Sequence, residues 1–382
     1  MSTHAFEEQA LPSWKRAVLK VGSSLLAADS GGLSDRFAKG LADFVAQARA
    51  QGREVVIVSS GAVAAGRGVL HTEAAGLIQR QALAALGQVH VIGLWQRLFD
   101  VPVAQVLLSH DDLRNRRRYL NARATLRELL RLDVVPVINE NDTVAVDELK
   151  LGDNDNLAAV VAALVEADLL LVATDIEGLY SGHPVKDPHA RPVPRVEAIT
   201  PAIIRMAEGD AGALGTGGMR TKLEAAGKAA AASIATVLFC GRDARTVAAL
   251  AEGRLYGTLI DAHGDRLIAR KLWLRHAPAG LHAVRVDAGA ARALGTQGAS
   301  LLPGGVVAVE GEFGRGDLVE IRLDGDASQR VIARGLAQYS SSDLRRIVGR
   351  HSRDIESILG YRYGEAVIHR DDLVVLPQEA VA

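Results

Sequence analysis

Two lysines, each beside a run of small residues, are the side chains of this sequence best suited to handling an anion. Lys20 stands before Val21-Gly22-Ser23-Ser24, and Lys222 closes the run Gly215-Thr216-Gly217-Gly218-Met219-Arg220-Thr221. Glycine lets backbone amides approach a ligand closely, and helix N-termini bind phosphate. Two such cations could clamp a transferring phosphoryl group, a reaction that needs mainly positioning and charge neutralisation. Either lysine alone reads as a solvated surface amine. The pair, each next to a glycine turn, favours the functional reading.

The acids gather in similar places. Gly152-Asp153-Asn154-Asp155-Asn156 heads an apolar run from Leu157 to Val165. By itself this is a turn and a well-capped helix. Its company argues for more: Ser59-Ser60-Gly61-Ala62, Asn139-Glu140-Asn141-Asp142 and Thr174-Asp175 also lie where a strand ends or a helix begins. Open α/β sheets bind ligands in that crevice. Asp153 or Asp155 could hold the lysines by ion pairing, or help bind Mg²⁺, an oxygen-seeking ion carried by nucleotide phosphates. Asp142 and Asn154 could hold a substrate ammonium. Ser60 and the amides of Gly61 and Ala62 could hold a carboxylate.

Other chemistries are excluded or disfavoured. The chain has no G-x-x-x-x-G-K-[ST] loop, no G-x-G-x-x-G after the first strand and no H-E-x-x-H. Its single cysteine, Cys240, forbids an internal disulfide and reads as an inert buried thiol. No metal site is assigned to side chains. A net charge of −1 gives no global attraction to nucleic acid or anionic membrane. The N-terminus does not read as a signal peptide and no run suffices to span a membrane, so a cytoplasmic location is expected.

Six apolar strands must position these residues: Arg16 to Val21, Glu54 to Ser59, Val103 to Leu108, Val134 to Ile138, Asp168 to Ala173 and Ala235 to Cys240. Helical spacing covers 33–50 with Ser34 as cap, 74–99 with a break near Gly87 or Gly93, 112–132 and 219–232. Alternating strands and helices with all-apolar strands predict an α/β fold with a mostly parallel sheet covered on both faces. Past residue 261 short strands and glycine turns take over, with one helix at 341–349. The expected strands there are 282–286, 306–310, 318–322, 330–333 and 365–369. The resulting division is a loose N-terminal extension (1–13), to which no role is assigned, a main domain (14–262), a linker (263–279) in which Trp273 packs the domains, a small β-rich domain (280–372) and a tail (373–382).

The motifs together resemble the amino acid kinase superfamily. The resemblance rests on VLKVGSSLL (18–26), VIVSSGAVAAG (56–66), YLNARATL (119–126), VINENDTV (137–144), GDNDNL (152–157), TDIEGLY (174–180) and GTGGMRTK (215–222), in order. It covers about Lys15 to Asp261, and the C-terminal domain resembles the PUA module. The likeness implies an α/β/α sandwich followed by a small PUA domain. It also implies ATP with Mg²⁺ as cofactors and phosphorylation of the side-chain carboxylate of L-glutamate, the first step of proline synthesis. Position by position, it puts Lys20 and Lys222 on the phosphates, with Asp153 organising them and Asp155 in the same catalytic centre. Ser60, Gly61, Ala62, Asp142 and Asn154 contact glutamate. Lys20, Gly22, Thr174, Asp175 and the run Thr216, Gly217, Gly218, Met219, Arg220, Thr221, Lys222 line the nucleotide. Feedback inhibition by proline, a homodimer or homotetramer, and hand-off of the labile product to glutamate-5-semialdehyde dehydrogenase are further implications.

Two basic features are read as structural. Arg114, Arg116, Arg117 and Arg118 suit a solvated helix start or ion pairs with a neighbouring subunit. From Leu281 onward, 12 Arg and no Lys stand against 14 Asp plus Glu, a balance of −2. RNA-binding domains are normally basic, so RNA binding by the PUA-like domain is disfavoured.

Overall fold

The computed structural model describes residues 5–28, 31–72, 76–144, 154–207, 218–262, 282–326 and 330–376. The chain divides into two units, 1–114 with 125–264, and 115–124 with 265–382. In chain order the first set of strands is β1 (Gln9–Ala10), β2 (Arg16–Val21), β3 (Glu54–Ser59), β4 (Val103–Leu108), β5 (Val135–Glu140), β6 (Leu169–Thr174), β7 (Arg195–Val196), β8 (Ala235–Cys240), β9 (Arg254–Leu255) and β10 (Gly257–Ile260). The helices are α1 (Ala38–Ala50), α2 (Ala62–Leu70), α3 (Leu77–Leu98), α4 (His110–Arg114), α5 (Arg116–Arg131), α6 (Asn154–Leu164), α7 (Pro201–Met206), α8 (Met219–Ala231) and α9 (Ala244–Ala251).

Eight strands make the main sheet in the order β4-β5-β3-β2-β6-β8-β10-β7. The neighbours from β4 through β8 run parallel, and β10 is antiparallel to β8. The apolar runs of β2, β3, β5 and β6 are buried on both faces, as parallel strands between helices require. The sheet grows from β2 toward β3, β5 and β4, then returns to add β6 on the other side of β2. That reversal opens a crevice beyond the carboxyl ends of β2, β3 and β6.

Strand alternation assigns the side chains to faces. Leu19 and Val21 join Val55, Ile57 and residues of α1, α3 and α9 in one core cluster. Lys20 therefore points to the opposite face, where α6 and α8 pack together through buried alanines. The N-termini of α2, α6 and α8 all lie toward the carboxyl edge of the sheet, because α2 leaves β3 there while α6 and α8 run back to feed β6 and β8.

Several expectations need correction. Helix α1 begins at Ala38, not Leu33, and Ser34 makes a local turn by accepting from the Arg36 amide at 3.2 Å. The predicted helix over 74–99 is unbroken from Leu77 to Leu98, and the separate α2 went unassigned. Gly87 is not a break but a packing contact: a Cβ there would come within 1.8 Å of the Ala62 carbonyl oxygen. The arginine-rich helix is two pieces, α4 and α5, and the first part of α5 groups with the C-terminal unit. The N-terminal extension is not loose from Phe6 onward. Phe6 and Leu11 are buried, and β1 pairs antiparallel with β9.

The C-terminal unit holds β11 (Ala283–Val286), α10 (Ala288–Gln297), β12 (Val306–Glu310), β13 (Leu318–Leu323), β14 (Val331–Leu336), α11 (Ser341–Ile347), α12 (Ile355–Leu359) and β15 (Leu373–Val375). The sheet order is β12-β11-β13-β14-β15, antiparallel except for β11 with β13. Among the described residues three helices stand where one was expected. The predicted strand at 365–369 contributes only a bridge, Ile368 to Leu301, and β15 takes the edge instead. The linker 263–279, with Trp273, lies outside the described residues.

Candidate active site

Lys20 and Lys222 meet on one carboxylate. Lys20 Nζ is 2.6 Å from Asp155 Oδ1, and Lys222 Nζ is 3.3 Å from Asp155 Oδ2. Lys20 comes from near the carboxyl end of β2, Lys222 from the first turn of α8 and Asp155 from the first turn of α6. Asp155 is 1% exposed and each lysine 7%. Thr221 Oγ1 lies 3.0 Å from Asp155 Oδ2 and 2.9 Å from the Gly218 carbonyl oxygen. Burial alone would raise the Asp155 pKa; the two ammonium charges and the bonds from Lys20 and Thr221 outweigh it and hold the group at about 2. Two cations on one anion leave the cluster with one positive charge, facing a crevice where helix N-termini also favour anions.

Asn154, one residue earlier, ties three loops together. Its amide nitrogen donates to Ser60 Oγ at 2.8 Å and to Asn139 Oδ1 at 2.9 Å, and lies 3.3 Å from the Ser59 carbonyl oxygen. Asn139 Oδ1 also accepts from the Glu140 amide. Gly61 has φ of 104°, so the chain can turn from β3 directly into α2 only with a residue that tolerates the left-handed region. Beneath this turn the Trp95 indole donates to Ser59 Oγ at 2.9 Å.

Asp142 stands apart from the lysines. It is half-buried, and Gln88 Nε2 reaches its Oδ2 at 3.5 Å and the Glu140 carbonyl oxygen at 3.4 Å. Burial pushes its carboxyl up to about 6, with the Gln88 bond pulling weakly the other way.

On the other side of β2, Thr174 is buried and Asp175 exposed, with Thr174 Oγ1 donating to Asp175 Oδ1 at 3.2 Å. Arg242 reaches Asp175 at 3.7 Å and the Ser24 carbonyl oxygen at 3.4 Å. Gly22 donates its amide to Ala173. Within the glycine-rich segment, Gly218 and Thr221 join the lysine cluster, Met219 is buried, and Arg220 is exposed and pairs with Glu224 at 3.1 Å. Asp153, Thr216 and Gly217 lie outside the described residues. Among the described residues no group of three or more His, Cys, Asp or Glu is arranged to hold a metal ion. No helix among them is long and apolar enough to cross a membrane. Burial raises the pKa of the half-buried Cys240 thiol.

Sequence reasoning missed Asn139, Gln88 and Arg242 as members of this site. Asn139 sat in a polar cluster already singled out, so its place at a strand end was the available signal. Gln88 and Arg242 carried none, since both arrive from distant segments.

Residues 15–240 match the amino acid kinase family and residues 282–359 the PUA domain. A glutamate 5-kinase of Xanthomonas oryzae pv. oryzae is 66% identical over 362 residues, 94% of this chain and 100% of the relative. One from Xylella fastidiosa is 61% identical over 375 residues, 97% of this chain and 98% of the relative. Among solved structures, the UMP kinase of Bacillus anthracis matches 66% of this chain and 98% of its own, at TM-score 0.46 and 14% identity. The chain belongs to the amino acid kinase family, carries a PUA domain behind it, and sits within that family among the glutamate 5-kinases.

Proposed function

We propose that this kinase transfers the γ-phosphoryl group of ATP to the side-chain carboxylate of L-glutamate, giving L-glutamyl 5-phosphate and ADP, the opening step of proline synthesis. The observation that carries the reading is Asp155 holding Lys20 on one oxygen and Lys222 on the other at the switch point of the sheet. The relatives' name supplies the substrate.

A carboxylate nucleophile is already ionised at pH 7, so no general base is needed. The difficulty is bringing that anion to a polyphosphate. One glutamate oxygen attacks the γ-phosphorus, the bond to the β,γ-bridging oxygen breaks, and ADP leaves with the electron pair. Lys20 and Lys222 neutralise the phosphate oxygens throughout, and each counts for more in a poorly hydrated site. Asp155 keeps both ammonium groups aimed. Mg²⁺ enters as part of the ATP substrate. Because an ammonium group already sits on each Asp155 oxygen, the nucleotide phosphates suit the ion better than this carboxylate.

Asp142 and Asn154 take the substrate ammonium, and Ser60 with the amides of Gly61 and Ala62 takes its α-carboxylate. Gly22, Thr174, Asp175 and the stretch from Thr216 to Lys222 line the nucleotide, with Met219 offering only backbone and Arg220 only its exposed face. Asp153 keeps its place as an organiser of the centre. Proline presents the same α-carboxylate and α-nitrogen as glutamate, so it competes at the Asp142 end. Assembly as a dimer or tetramer and hand-off of the labile acyl phosphate to the reductase that follows complete the proposal.

The test is ADP release with hydroxylamine present, which traps an acyl phosphate as the hydroxamate. Glutamate should give both signals, with aspartate, acetylglutamate and carbamate giving little. ADP release on one of those others, with none on glutamate, overturns the substrate. Proline added at rising glutamate should raise the KM alone.

A further inference from the structure

We infer that the N-terminal arm, Phe6 to Leu11, is a positioning element for the nucleotide wall that follows β6, with Phe6 as its anchor. Phe6 is 2% exposed and meets the Tyr180 ring edge-on, centroids 5.3 Å apart at 84°. The tip of its ring also approaches the backbone at Gly178, where a Cβ would come within 2.7 Å of Phe6 Cζ and of Thr258 Oγ1. The missing side chain at 178 is thus what lets the ring reach the main chain. The Leu179 amide in turn donates to Thr258 Oγ1 at 2.8 Å. The stretch from Asp175 to Tyr180 is therefore gripped between the arm on one side and β10 on the other.

Polar bonds fix the arm where Phe6 needs it. Gln9 Nε2 donates to the carbonyl oxygens of Pro194 and Gly257, each at 2.9 Å, which matches its two protons to two acceptors. β1 pairs with β9, Gln9 opposite Leu255 and Ala10 opposite Arg254. Glu8 binds Arg254 at 2.8 Å and the Tyr256 hydroxyl. Leu11 closes the arm by donating its amide to Gly253.

The gripped stretch begins at Thr174-Asp175, so the inference rests on the reading of those two residues as nucleotide contacts. Phe6, being buried, is assigned no contact with substrate. It acts by holding the backbone of Gly178 and Tyr180, three to five residues from Asp175, in one place before ATP arrives. Order supplied in advance lowers the cost of binding.

The experiment compares the full chain with Phe6→Ala, Phe6→Leu, Thr174→Val and Asp175→Asn. Phe6→Ala should raise the KM for ATP by roughly threefold to tenfold, the scale of losing one aromatic pair, with the KM for glutamate unchanged. Phe6→Leu, which keeps an apolar plug, should recover most of that loss. Hydrogen exchange at the Leu179 amide should quicken in Phe6→Ala more than at the amides of β4 and β5, and return in Phe6→Leu, a readout that needs no turnover and separates a local loosening from poor folding. An unchanged KM for ATP in Phe6→Ala, or equal rises for both substrates, overturns the arm's role. If Thr174→Val and Asp175→Asn both bind ATP as the parent does, the nucleotide reading of this wall fails and takes the arm's link to ATP with it. If they weaken ATP and Phe6→Ala does not, only the arm fails.

Discussion

Asp155 and Asp142 are thirteen positions apart, both withdrawn from water, and shifted in opposite directions. Asp155 is held at about 2, Asp142 is pushed up to about 6. The more deeply buried acid is the more acidic one, which burial alone cannot produce. Asp155 has its countercharges built into the fold, on β2 and α8. Asp142 faces a neutral amide, Gln88, and among the described residues no cation forms an ion pair with it. A fixed pair of cations suits a group that must stay charged through a catalytic cycle. A desolvated acid with no cation suits a group whose partner is the ammonium of an incoming substrate.

The largest effect expected from this contrast is on turnover. Lys20→Ala or Lys222→Ala should cut kcat by about a hundredfold to a thousandfold, the scale of losing one transition-state donor. Near-normal kcat in both would break the comparison at its stronger end. Stability comes next. Asp155→Ala leaves two buried ammonium groups facing each other and should cost about 3–5 kcal/mol in urea titration. Asp142→Asn removes a charge that burial opposes, and should leave the protein no less stable than the parent at pH 7.

A pH profile separates the acids further. Asp142 has a raised pKa, so it is charged above about 6 and protonated below. The glutamate KM should be lowest above pH 7 and climb by about tenfold at pH 5, where most of Asp142 is protonated. Asp142→Asn should raise the KM and flatten that limb, and a limb that survives the substitution would point to another group. Asp155 has a lowered pKa, so its contribution to stability is whole above pH ~4 and is lost only as pH falls toward 2. The smallest effect is that of Gln88→Ala. Its bond lowers the Asp142 pKa, so losing it should move the acid limb upward by about half a pH unit or less.

Much of the site was legible because small polar residues at strand ends are conspicuous in an apolar α/β sequence. Lys20, Ser60 and Thr174 stand at or beside strand ends, Asn154 and Lys222 at helix starts, and the fold brings them to one edge of one sheet. The elements that escaped share a different physics. Helix α2 is short and rich in Ala and Gly, with no cap signal, and Gly66 and Gly87 let it touch α3 backbone to backbone. The N-terminal arm looked loose because its apolar residues are sparse. Phe6 and Leu11 are nonetheless buried, each in a place prepared by residues far away.

Composition and local pattern by themselves determined the six long strands of the main sheet and the kinds of side chain gathered near their ends. Period and propensity act over a few residues and are written locally. Only the tertiary structure decided that Asp155 stands between the lysines, that Asn139 meets Asn154 and Gln88 meets Asp142, and that Phe6 packs against Gly178 and Tyr180. Those outcomes depend on strand order and on which face each side chain takes, and both are set by packing between segments that the sequence keeps apart.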